Sequence, residues 1–136
     1  MSLMRTFEIG STALVAQSMR LNTIASNIAN AETVEGPDGR AYRSRQVVFQ
    51  AVPIEGAPGA AGVHVSRILE SDAPMRMEYK PGHPKANAQG YVEMPNVNPV
   101  EEMVNMVSAS RSYQMNIEMM NATRLLMIRT LNMGKG

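Results

Sequence analysis

Asn98-Pro99-Val100-Glu101-Glu102-Met103 is the stretch on which the fold turns. Asn98 suits a helix N-cap, Pro99 the first helical position, and Glu101 stands three residues after the cap, a capping-box variant. Glu102 adds favourable negative charge at the positive end of the helix. No proline follows, and the next glycine is Gly134, which predicts one helix of about 35 residues. At coiled-coil spacing its positions read Met103, Met106, Ser110, Tyr113, Ile117, Met120, Arg124, Met127 and Leu131. All are apolar except Ser110 and Arg124.

Working outward, all 8 prolines lie between Pro37 and Pro99, and most of the 10 glycines between Gly36 and Gly90. Long helices are therefore permitted at the two ends and not in the middle. Residues 1–35 carry the N-terminal helix, 36–98 an extended segment with a small β element and loops, and 99–136 the C-terminal helix. In the first of these, Phe7, Leu14, Leu21 and Ile28 recur every seven residues, with Leu3, Ile24 and Ala31 filling intermediate positions. That spacing predicts an amphipathic helix of about 28 residues, with Gly10 as its weak point. The expected fold class is mainly α: long terminal helices paired as a coiled-coil-like hairpin. Phe7, Leu14, Leu21 and Ile28 are expected to meet Ile117, Met120, Met127 and Leu131.

The middle reads as short strands at Gln46–Gln50, Val63–Val65 and Gly90–Met94, with Met75, Met77 and Tyr79 alternating against Arg76 and Glu78. Gly36-Pro37-Asp38-Gly39 and Pro81-Gly82-His83-Pro84 spell turns, and Gly56–Gly62 a flexible loop.

The face of the first helix opposite its apolar stripe is polar but scarcely charged. Residues 1–31 carry only Arg5, Glu8 and Arg20 as charges, while Ser11, Thr12, Ser18, Asn22, Thr23, Ser26, Asn27 and Asn30 cover the rest. Such a face suits a helix crowded by other helices, where small groups hydrogen-bond without burying charge. The plainer reading is an unusual two-helix hairpin. Of the 13 methionines, most of the helical ones lie in 103–133. That fits either simple core filling or subunits that repack at inequivalent contacts.

Chemistry is sparse. At 136 residues and 14.9 kDa there is room for one modest domain, or two small pieces sharing a core. The net charge of +1 gives no reason to expect nucleic acid. With no cysteine, disulfides, thiolate catalysis and Cys-based zinc sites are excluded. His64 and His83 lack metal-spaced partners, Gly56–Gly62 lacks the ending of a phosphate loop, and no serine sits in a nucleophile elbow. No enzyme activity, cofactor or metal is expected. No run of 18 apolar residues exists, so no membrane insertion is expected, and Met1-Ser2-Leu3-Met4-Arg5 does not open a cleavable signal peptide.

Three stretches together carry a resemblance. Ser26-Asn27-Ile28-Ala29-Asn30-Ala31-Glu32-Thr33 resembles the signature near the N-terminus of flagellar rod and hook proteins. Gly36-Pro37-Asp38-Gly39 through Phe49, and Gly90-Tyr91-Val92 through Met94-Pro95-Asn96-Val97 with Ser108–Gln114 and Asn116-Ile117-Glu118, resemble a short proximal member of the flagellar basal-body rod family. Residues 53–62 carry no match. The resemblance implies a subunit of the proximal rod, a hollow shaft crossing the periplasm around the export channel. Terminal helices would pack with other copies and other rod proteins, beside the export apparatus and basal-body rings. It also implies export by the flagellar type III system without a cleaved signal peptide, termini that order on assembly, and contact roles for Asn27, Asn30 and Thr33. The assembly seam is then Phe7, Leu14, Leu21, Ile28, Met103, Met106, Tyr113, Ile117, Met120, Met127 and Leu131. The rival reading is a free-standing secreted helical hairpin that binds a partner, or an export chaperone.

Overall fold

The computed structural model describes residues 2–136; Met1, which begins the first predicted segment, lies outside them. The order is α1 (Leu3–Ala29), β1 (Arg45–Pro53), β2 (Ala61–Glu70), β3 (Arg76–Tyr79), β4 (Tyr91–Met94) and α2 (Pro99–Met133). Both helices start where their caps dictate. The Ser2 hydroxyl accepts from the Arg5 N–H, and the Asn98 side chain accepts from the N–H groups of Val100 and Glu101. Pro99 occupies the first turn of α2, and Gly134 follows its last residue in a right-handed conformation.

The mainly-α hairpin expectation is corrected. Helices make up 46% of the chain and strands 20%, an α+β mixture. β1 and β2 extend beyond the expected short strands, running on through residues with little strand pattern of their own, such as Ala51, Ser66 and Arg67. The two form an antiparallel ribbon from Arg45↔Glu70 to Pro53↔Ala61, with a bulge between Val48 and Phe49. Their connection is ordered by hydrogen bonds from Ile54 N–H to Ala60 O and from Ala57 N–H to Ile54 O. A second ribbon pairs β3 with β4, and Tyr79 meets Tyr91 edge to face at 5.3 Å.

α1 is the middle layer. One side packs antiparallel on α2, and the other carries the β1–β2 ribbon along its length. Small residues make both approaches possible. A methyl group at Gly10 would stand 2.7 Å from Met119 Cε and 2.8 Å from Met120 Cγ, so the expected weak point is where side chains of α2 press directly on the α1 backbone. On the other side, a methyl at Gly62 would stand 2.9 Å from Thr12 Oγ1, and that hydroxyl accepts the Val63 N–H at 3.1 Å.

The Ser/Thr/Asn face is thereby largely used within the chain; of the eight residues that compose it, only Asn22 is exposed. α2, by contrast, brings its backbone close to α1 and to none of the strands. The two largest fully buried side chains, Met94 and Val92, come from β4 and alternate with exposed Tyr91 and Glu93. On β3 the expected inward face is reversed: Met77 and Tyr79 are exposed, and Glu78 is half-buried beside Lys80.

Candidate assembly interface

Four segments converge where α1 ends: its last turns, the extended stretch 41–44, the start of β1 and the first turn of α2. Asn27 stands at the centre, 1% exposed. Its Nδ2 donates to the Arg45 carbonyl at 2.8 Å and to Glu102 Oε2 at 3.0 Å. Its Oδ1 accepts from the Tyr42 hydroxyl at 2.8 Å and from the Arg45 N–H at 2.9 Å. Two donors and two lone pairs are the whole capacity of an amide side chain, and all four are used. The Arg45 guanidinium lies 5.6 Å from the centre of the Tyr42 ring.

Asn30 and Thr33 extend this joint. Asn30 donates to the Ser26 carbonyl at 2.9 Å, the Thr33 hydroxyl donates to Asn30 Oδ1 at 3.2 Å, and the Thr33 carbonyl accepts the Tyr42 N–H at 3.0 Å. Asn96 is a parallel clamp that sequence reasoning missed. Its Oδ1 accepts the Ser44 N–H at 2.7 Å, and its Nδ2 donates to the carbonyls of Ser71 and Ala73. Its place in the resemblance stretch Met94-Pro95-Asn96-Val97, a polar residue between two apolar ones, was the signal that could have found it. Exposed ion pairs, Arg76–Glu32 at 3.2 Å and Lys85–Glu35 at 2.7 Å, tie the second ribbon and its turn to the chain just past α1.

The other facet is α2. The residues it turns inward follow a heptad through Glu102, Met106, Ala109, Tyr113, Asn116, Met120, Thr123 and Met127, all buried or half-buried. Of the seam residues chosen from sequence, Met106, Tyr113, Met120 and Met127 lie on this face, as Leu14, Leu21 and Ile28 are half-buried on α1. Phe7, Met103, Ile117 and Leu131 are exposed. The antiparallel register sets Gly10 against Met119 and Met120, and Asn27 against Glu102. Leu21 and Ile28 therefore lie toward the start of α2 rather than beside Met127 and Leu131. Away from α1, α2 exposes Val100, Met103, Val104, Val107, Met115, Leu125, Leu126 and Ile128.

Reactive chemistry is thin. Among the described residues no group of three His, Asp or Glu could hold a metal ion, and no helix is long and apolar enough to cross a membrane. The Asp38 carboxyl is held below its ordinary value by the Arg40 backbone N–H and then by the Arg40 guanidinium, which stands 2.9 Å away. That pair fixes an exposed turn.

Comparison with known proteins agrees with a contact role. Residues 7–37 match the family described as Flagella basal body rod protein, and residues 88–133 match the Flagellar basal body rod FlgEFG protein C-terminal family. Flagellar basal-body rod protein FlgC of Escherichia coli O6:H1 is 54% identical over 137 residues, covering 99% of this chain and 100% of the relative. FlgC of Salmonella typhimurium is likewise 54% identical with the same coverage. FlgC of Bacillus subtilis is 35% identical over 150 residues, again covering 99% of this chain and 100% of that protein. Identity at this level along the full length, through the helices, both ribbons and the joint, means that the chain belongs to the flagellar basal-body rod protein family.

Proposed function

We infer that the chain is a structural subunit of the flagellar basal-body proximal rod and catalyses nothing. The observation that carries this reading is its full-length likeness to proteins named as basal-body rod proteins. The structure supports it: the chain leaves its longest helix with one face covered and the rest open, as a subunit completed by neighbours would. The free-standing module and the chaperone are not favoured by any relative.

In the finer reading, residues 1–35 and 99–136 are the two halves of a tube-forming region, and 36–98 form an outer element that stiffens the shaft. The assembled tube is hollow and surrounds the export channel across the periplasm. Met106, Tyr113, Met120 and Met127 with Leu14, Leu21 and Ile28 hold the two helices together. Phe7, Met103, Ile117 and Leu131 then serve neighbouring subunits. Asn27, Asn30 and Thr33 contribute by fixing the angle at which the helix pair meets the outer element, and that angle repeats in every subunit. Partners are other copies, other rod proteins, the export apparatus and the basal-body rings, reached by type III export without a cleaved signal.

The test is co-purification. A strain lacking the chain is expected to be non-motile and to regain swimming when it is restored, with the protein recovered in purified basal bodies. Leu21→Asp is expected to abolish both incorporation and swimming. Recovery of the wild-type chain solely from the soluble cytosolic fraction would overturn the reading.

A further inference from the structure

The first turn of the middle segment holds the dipeptide of this chain most able to rearrange its own backbone. A backbone nitrogen that follows an aspartate can attack the side-chain carboxyl, and a following glycine hinders that nitrogen least. Of the two aspartates, Asp38 precedes Gly39 and Asp72 precedes Ala73, and no asparagine precedes a glycine. The fold requires this glycine. Its φ is +75°, while a methyl group there would meet nothing within 4 Å, so conformation and not space demands it.

The local geometry holds the reaction back in two ways. The Gly39 N–H donates to the Gly36 carbonyl at 2.9 Å, closing a turn with Pro37 and Asp38 at its corners, and the Gly36 N–H donates to the Arg40 carbonyl at 2.8 Å. Neither corner has a positive φ, which makes the turn type I and sets ψ of Asp38 near zero. Closing a five-membered ring needs the Gly39 nitrogen eclipsed with Asp38 Cβ, and a ψ near zero leaves the two roughly 120° apart. The carboxyl is held as well. Asp38 Oδ1 accepts the Arg40 N–H at 3.2 Å, and Oδ2 lies 2.9 Å from both Nε and Nη2 of the Arg40 guanidinium. These contacts keep the group ionised, and an ionised carboxylate resists attack because it has no hydroxyl to release.

The geometry points to Asp38 as a site of isoaspartate formation in this chain, with Arg40 as the residue that suppresses it. The chemistry balances without a co-reactant other than water. The Gly39 nitrogen loses its proton and bonds to Asp38 Cγ, the carboxyl hydroxyl leaves, and one water is released. Water then adds to the main-chain carbonyl of the resulting succinimide and breaks that carbonyl's bond to the Gly39 nitrogen. The backbone now runs through the Asp38 side chain and is one carbon longer, so the turn no longer fits its hydrogen bonds. The damage falls just before Tyr42, whose hydroxyl reaches Asn27.

The test follows the purified full-length chain through weeks in warm, mildly acidic buffer. Isoaspartate is counted by enzymatic methylation with S-adenosylmethionine and placed by fragmentation of the derived peptides. Wild type and Arg40→Ala are compared, each folded and each in urea. In urea the two should react alike, at Asp38 ahead of Asp72. Folded wild type should be slower than in urea, and folded Arg40→Ala about threefold faster than folded wild type, the weight of an exposed ion pair. High salt should speed folded wild type more than the chain in urea and leave folded Arg40→Ala unmoved, which loss of the turn alone would not produce. The salt comparison on wild type needs no variant, so it decides even where Arg40→Ala fails to fold. Equal rates for the two folded chains overturn the proposal, as does a folded wild-type rate that matches urea or ignores salt. Isoaspartate appearing first at Asp72 or at an asparagine overturns it too.

Discussion

The two helices start from similar caps and differ in almost everything afterward. α1 is poor in charge and studded with Ser, Thr and Asn, yet nearly all of those groups are occupied within the chain. α2 carries apolar residues on the side facing α1 and on the side facing away, and only the first has a partner. Polar residues on a helix need not mark solvent, nor apolar ones a core. A polar face can be the one that touches a strand backbone, as Thr12 touches Val63, while an apolar face waits for something outside the chain.

Four measurements would break or sharpen this contrast. The largest effect is expected at the buried amide. Asn27→Ala strands the Arg45 backbone groups, the Tyr42 hydroxyl and Glu102 together, and should cost about 3 kcal/mol in urea unfolding. A loss below about 1 kcal/mol would mean the joint is not what ties α1 to α2. Next is the helix contact: Gly10→Val forces Met119 and Met120 aside and should cost about 2 kcal/mol by the same assay, where a gain would show the helices free to part.

Third, Thr12→Val removes the acceptor for the Val63 N–H, at about 1 kcal/mol. Val104→Ser, its counterpart on the open side of α2, should leave the monomer within about 0.5 kcal/mol of wild type while reducing swimming. Equal effects of the two on unfolding would erase the contrast. The smallest effect is at Asp38. Its lowered folded-state pKa means that its stabilisation is present above the ordinary carboxylate value and fades as pH falls through the lowered one. An NMR titration should find it below the ordinary carboxylate value, and Asp38→Asn should leave unfolding near neutral pH almost unchanged.

Much of this was legible in the residues. Breakers bounded both helices and the Asn98–Pro99 cap fixed the start of the second, because such residues act on the backbone beside them and need no distant partner; the Ser2 cap of the first went unread. The ribbon was less legible, since Ser66–Glu70 is strand because Arg45–Val48 lies alongside and not through its own pattern. On α2, apolar spacing selected Met103, Ser110, Ile117 and Arg124, whereas the face toward α1 runs one residue earlier through Glu102, Ala109, Asn116 and Thr123. An apolar count follows the larger side chain. The close approach at Gly10 favours the smaller one, and Glu102 turns inward because Asn27 is there to meet it. Asn27 was legible as one of the polar face of the first helix, but singled out only through resemblance, for one buried amide has no periodicity.

The span between Asn27 and Glu102, 75 residues apart, also sets an order of events. During synthesis α1 and the first ribbon emerge well before the residues that complete their junction, and most of α2 comes later still. Until Glu102 is available the amide lacks one of its acceptors, and until Met119 and Met120 follow, one whole side of α1 is bare. A chain wired this way closes late, because its decisive contacts are among its most distant.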